Sequence, residues 1–160
     1  MRVSEKGSRK IRLLALAAFS YGLYLPWAGR GFVQDDFAHL HSAAFTPLGR
    51  GLTTAQAGPF FTPLVWLSFR LDWALWGMRS FPLAVESITL HVLNTVLVYC
   101  LALRLWGSGT AAWWAAFGFA LLFPANNWAV MYTATRAHAL ATFFYLAALI
   151  AATFYERARE

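Results

Sequence analysis

Residues 83–106 read LAVESITLHVLNTVLVYCLALRLW, and this stretch decides the fold class. A helix needs roughly 20 mostly apolar residues to cross the hydrocarbon core of a bilayer. Here the only full charges are Glu86 near one end and Arg104 near the other, so the interval between them reads as a transmembrane helix. It is too long and too uniformly apolar for a β-strand, and Gly107-Ser108-Gly109-Thr110 ends it in a tight break.

Composition agrees with that reading along the whole chain. The 160 residues are 59% hydrophobic and only 12% charged, with a mean hydropathy of +0.51, whereas a soluble domain carries about a quarter charged residues. An apolar exterior of that kind suits lipid. The basic balance does not indicate nucleic acid, because its densest cluster, Arg2, Lys6, Arg9, Lys10 and Arg12, lies directly before an apolar run. That is the flank of a membrane segment held on the cytoplasmic side. The single Cys100 lies within an apolar run, so neither a disulfide framework nor a cysteine metal site is indicated.

Working outward, four spans are expected in an all-α membrane protein. A basic N-terminus, 1–12, leads into a first span at 13–28; a secretory signal peptide is the competing reading. However, Leu25-Pro26-Trp27-Ala28-Gly29-Arg30 offers no convincing small-residue cleavage site, and Trp27 suits an interface. The second span is 83–106. The third, 111–130, is clean to Phe123 and then interrupted by Pro124 and Asn126-Asn127. The fourth, 137–155, stops at the charged end 156–160. Arg104, Arg157 and Arg159 join the five N-terminal cations on one side, against Arg30, Arg50, Arg70, Arg79 and Arg136 on the other. With the long loop discounted, this places the N-terminus in the cytoplasm.

The outer loop 29–82 opens with Gln34-Asp35-Asp36 and later becomes the aromatic run Phe60 to Gly77. At 100° per residue Trp66, Phe69, Trp73 and Trp76 share one broad face, which suits a helix lying in the headgroup region. A fifth span is disfavoured, because Arg70 and Asp72 would sit in mid-membrane.

Asp35 and Asp36 are the most informative polar pair. Two carboxylates near an apolar surface disfavour each other's ionisation, so one can hold a raised pKa and act as general base toward a hydroxyl. The plainer alternative is a cap on a short helix beginning at Phe37. His39 and His41 follow, and Asp36 with His39 could share a metal, but no third ligand is in view. In the second span Ser87, His91 and Asn94 lie within about 60° of one another and suit interhelical hydrogen bonds or a cavity wall. On the outer side, near Asn126, Asn127 and His138, Arg136 is the candidate for holding phosphate, with a snorkelling interfacial arginine as the alternative.

The order of these features resembles the N-terminal part of the polytopic GT-C glycosyltransferases, the protein O-mannosyltransferase and aminoarabinose-transferase group, including the mannosyltransferases with tetratricopeptide repeats. The resemblance is carried by Phe32 to Phe37, Phe60-Phe61-Thr62-Pro63-Leu64, the Leu71 to Gly77 run, His91 with Asn94, and Thr133, Arg136 and Leu140. It covers nearly the whole chain from about residue 11, by short motifs whose order and spacing carry the weight.

The resemblance implies transfer of a sugar from a polyprenyl-phosphate donor to a protein or glycan hydroxyl at the outer face of a bacterial inner membrane or its equivalent. Inversion is implied, with Asp35 as the base and Asp36 orienting or assisting. Arg136, His91 and Asn94 would line the substrate site. No cofactor is implied; a divalent metal is left open. Three departures stand out. Trp128 occupies a position where relatives often carry an acid. Phe61-Thr62-Pro63 replaces an aromatic-Arg-Pro. Members of the group carry more spans, so the resemblance implies a fragment of a longer protein, a truncated gene product or a small relative that needs a partner chain to supply spans, and activity from these 160 residues alone is not expected.

Overall fold

The computed structural model of the chain describes residues 2–56, 58–121 and 132–159, and among them it is all-helical, with no strand. Seven α-helices are described: α1 (Arg2–Tyr24), α2 (Asp35–Phe45), α3 (Leu48–Thr53), α4 (Pro63–Trp76), α5 (Ser80–Trp106), α6 (Gly109–Leu121) and α7 (Arg136–Arg157). Short 3-10 turns at Leu25–Trp27 and Thr133–Thr135 follow α1 and precede α7.

The central helix is α5. It begins three residues before the apolar run, because Pro82 falls in the first turn, where its missing N–H would have found no acceptor in the helix. It ends at Gly107, whose left-handed backbone (φ 67°) lets its N–H close on the Leu103 carbonyl at 2.9 Å. α1, α6 and α7 pack around it. The contact with α6 uses small residues: Ala112, Ala116 and Ala120, four apart, are all fully buried. Leu16, Tyr99 and Ala102 complete that cluster. Alanines at that spacing let backbones approach closely, which drives helix association where lipid provides no hydrophobic contrast.

Among the described residues, two helices are long and apolar enough to cross a bilayer, Ser80–Trp106 and Thr133–Glu156, each with a mean hydropathy of 1.7. The second buries only 11% of its apolar window inside the chain, unlike the core helix of a soluble protein. Phe144, Tyr145 and Phe154 face outward from it. The other two expected spans fare differently. α1 runs without a break from the basic stretch into the apolar one, so its apolar part is short. α6 is described only to Leu121; the rest of the expected 111–130 span, with Pro124, Asn126, Asn127 and Trp128, lies outside the described residues.

The loop between α1 and α5 folds into a small layer of α2, α3 and α4 against the end of the bundle. Its core is Leu40, Ala43, Val65, Phe69 and Leu83. α4 does form where the aromatic run lies, but its faces correct the expectation. Trp66 and Phe69 turn inward and are buried and Trp73 is half-buried, whereas Trp76 stays exposed. The row on the opposite side is aliphatic: Leu64, Leu67, Leu71, Leu75 and, just past the helix, Met78 are all exposed. Amphipathicity based on aromatics alone misjudges this helix, because both of its faces are apolar. Arg70 Nη1 donates to the carbonyls of Ala43 (2.7 Å) and Thr46 (2.9 Å), placing a cation at the carbonyl-rich end of α2.

Gly51 lies directly against the Trp66 indole, and a Cβ there would overlap the ring. Gly51→Ala is therefore expected to displace Trp66 and destabilise the chain by about 1–3 kcal/mol, as overpacking does. A lowered thermal unfolding midpoint in detergent would register this; an unchanged midpoint would show that the α3–α4 contact yields freely.

Candidate functional site

The two adjacent aspartates at the start of α2 have opposite environments. Asp36 is buried, at 2% exposure. Its Oδ2 accepts from the Val33 N–H at 3.0 Å, and its Oδ1 from the Ala134 N–H at 2.6 Å. One carboxylate thus joins the turn before α2 to the turn before α7, nearly a hundred positions later in the chain. The capping reading is met in altered form, since the acceptor reaches back to the residue before the cap and across to a second loop. Burial pushes the Asp36 carboxyl up, opposed by both backbone donors and by His39 and Arg136.

Asp35 is exposed. Its N–H donates to the Tyr132 hydroxyl at 3.2 Å, and its carboxyl lies beside the same hydroxyl. The residue before it, Gln34, has φ 39°, a left-handed backbone that a side chain adopts only when its surroundings impose it. The Asp36 bonds on one side and the Tyr132 contact on the other supply that constraint. The result presents Asp35 at an open pocket of about 600 Å³. Phe60, Pro59 and Val65 form its apolar wall, and Thr62, His39 and His138 its polar side. His39 stacks on Phe69, with ring centroids 4.8 Å apart, and burial lowers its pKa, so its imidazole is neutral at pH 7. Among the described residues no group of three or more His, Cys, Asp or Glu side chains is placed to hold a metal.

The remaining sequence-selected residues lie elsewhere. Arg136, the phosphate candidate, is 4% exposed and forms an ion pair with Asp72. Its second nitrogen is 3.8 Å from Glu86, and its guanidinium lies over the Phe69 ring at 4.7 Å. Glu86 also accepts from the Trp76 indole N–H at 2.6 Å. Arg136 therefore ties α4 and α5 to the start of α7 and does not line the pocket. His91 and Asn94 are buried within the bundle, His91 between Tyr24 and Phe119, and Asn94 donating to the Ala139 carbonyl at 2.9 Å. That is the interhelical role. His41 packs on Phe45.

Sequence reasoning missed Tyr132, since an aromatic before a Thr-rich turn carries no pattern that points to an aspartate nearly a hundred residues away. It also missed the Asp72–Arg136–Glu86 cluster, although Asp72 and Arg70 had each been flagged as charges too costly to leave in lipid.

No known protein family, curated protein or solved structure matches the chain.

Two outcomes are expected at the buried cluster. Arg136→Met leaves Asp72 buried without its cation and should cost about 3–5 kcal/mol, much of it recovered when Asp72→Leu is added. Equal unfolding midpoints for the single and double variants would contradict this. The second outcome concerns pH. Burial and the adjoining Glu86 carboxyl push Asp72 up to about 7, against the pull of Arg136. The folded chain then binds a proton that the unfolded chain releases, so this group's stabilisation is complete below the ordinary carboxylate range and is lost as pH rises toward 7. His39, with its lowered pKa, acts in the opposite sense below its ordinary value near 6.5. Subtracting the melting profile of Asp72→Asn from that of the parent should isolate a fall between about pH 4 and 7; a flat difference would contradict the raised value.

Proposed function

We propose that the chain is a membrane glycosyltransferase module of the polytopic GT-C kind, with four spans and a cytoplasmic N-terminus. It would transfer a sugar from a polyprenyl-phosphate donor to an acceptor hydroxyl at the outer face. The observation that carries this reading is the division of labour in the Asp35–Asp36 pair. Asp36 is sealed in and shapes the loop, and Asp35 is left at the mouth of a pocket with an apolar wall. A lone exposed cap would need no such second anchor.

In this reaction the Asp35 carboxylate takes the proton of the acceptor hydroxyl as the oxygen attacks the anomeric carbon. The bond from that carbon to the phosphate oxygen breaks on the opposite face, and its electron pair leaves with the lipid phosphate. The configuration inverts. The apolar wall of Phe60, Pro59 and Val65 suits the first isoprene units of the donor, and Thr62 and His138 offer hydrogen bonds to sugar or phosphate oxygens. Asp36 acts through position alone.

One observation favours a second reading, a non-catalytic multi-pass membrane protein such as an assembly partner. A departing phosphate benefits from a fixed cation, and neither arginine nor lysine is among the residues lining this pocket, Arg136 being held by Asp72.

Asp35→Asn in native membranes separates the two. A catalytic base contributes about 10²–10⁴-fold, so transfer should fall at least a hundredfold while insertion and melting stay unchanged. Full transfer by that variant would end the assignment. Asp36→Asn should instead lower stability, and transfer with it.

A further inference from the structure

The opposite end of α5 holds a second polar pocket that the outer-face chemistry does not use. It is about 450 Å³ in volume and lies between the basic part of α1, the last turns of α5 and the start of α6. Arg9 and Arg12 from α1 line it, with Tyr99 from α5 and Gly109 and Thr110 from α6. The Arg12 guanidinium packs directly against Gly109, so closely that a Cβ there would overlap it.

Three independent features point to an anion. First, the start of α6 presents N–H groups: Ser108 caps the helix, its Oγ accepting from the Ala111 N–H at 3.3 Å. The N–H groups of Gly109 and Thr110 have no acceptor within the helix. The helix dipole adds about half a positive charge there. Second, the Arg12 guanidinium lies against that positive end and Arg9 lines the same pocket, its Nη2 3.8 Å from Cys100 Sγ, and among the described residues no carboxylate pairs with either. Positive charges gathered around a positive helix end repel one another unless an anion sits between them. Third, Tyr99 is 1% exposed, lies against this pocket, and its hydroxyl has no hydrogen-bond partner among the described residues. That hydroxyl, 3.8 Å from where a Gly109 Cβ would stand, is therefore available to donate to a ligand oxygen at the pocket wall.

We propose that this pocket binds a phosphate group, supplied by the headgroup of an anionic phospholipid or by a soluble phosphate. Arg9 and Arg12 would hold its oxygens through charge-assisted hydrogen bonds, the Gly109 and Thr110 N–H groups would cap it as helix N-termini cap anions, and the Tyr99 hydroxyl would donate to it from the apolar side. Gly109 is required because only a residue without Cβ lets the guanidinium lie against the helix end.

The test uses the full chain, purified and delipidated in non-ionic detergent. Native mass spectrometry would follow retention of phosphatidylglycerol against phosphatidylcholine, and thermal shifts would follow inorganic phosphate. Preferential phosphatidylglycerol binding that weakens about tenfold in Arg9→Gln/Arg12→Gln, but not in Lys10→Gln, supports the site with a lipid source. Stabilisation by inorganic phosphate with the same variant pattern, and no lipid preference, supports it with a soluble source. Binding of neither probe, or an equal loss in Lys10→Gln, overturns the proposal in favour of diffuse surface charge. Gly109→Ala and Tyr99→Phe keep every charge and so avoid any effect on insertion. Both are expected to weaken binding, and parent-like affinity in both would overturn the proposal.

Discussion

The ion pair between Arg136 and Asp72 is the constraint on which the end of this structure built by α2, α4 and the start of α7 depends. Arg136 opens α7, Asp72 lies in the inward face of α4, and Glu86 brings in α5. Fixing Arg136 fixes the 3-10 turn directly before it, whose Ala134 N–H reaches Asp36. That bond in turn sets the entry to α2 and the exposed position of Asp35. A charge cluster that does not itself line the pocket therefore helps determine where the mouth's carboxylate is held. Desolvating these groups is costly, and a buried pair adds little net stability over an apolar replacement. Its value here lies in geometry, since it specifies one docking of three helices that apolar contacts alone would leave free to slide.

Much of this was legible from residue order. The α5 and α7 helices follow from uninterrupted apolar runs, and the break at Gly107 from the residue that best tolerates a left-handed backbone. The aspartate pair could be singled out, but its partition could not. Which carboxylate is sealed depends on Ala134, a backbone donor with no side-chain signature, arriving from the far end of the chain. Arg136 illustrates the opposite failure. A lone arginine at an outer helix start reads as available to ligands, and only the fold reveals that Asp72 and Glu86 occupy it. The inward turn of Trp66 and Phe69 was hidden for a simpler reason: hydropathy does not rank two apolar faces, and room for the Trp66 indole comes from Gly51, which has no side chain.

Polar chemistry concentrates at the two ends of α5, and the middle of the helix spends its polar side chains on neighbouring helices. Ser87 and Thr95 bond back to their own turns, and Asn94 reaches the Ala139 carbonyl. One end gathers carboxylates and a pocket with an apolar wall; the other gathers guanidinium groups around a helix start. The two ends thus differ in the charges they gather and share no lining residue.

The leucine row on α4 has a mechanical consequence. One side of the helix is clamped to the protein through Trp66, Phe69 and Asp72, and the other offers Leu64, Leu67, Leu71 and Leu75 to whatever surrounds it. At a bilayer surface such a helix works as a float. Its leucines would settle at the boundary between headgroups and chains, and the clamp would transmit that level to α2. The draught of the float, and not the length of any spanning helix, would then set how deep Asp35 rides relative to the lipid surface. Widening or narrowing the leucine row would trim that depth while leaving the pocket's own walls untouched.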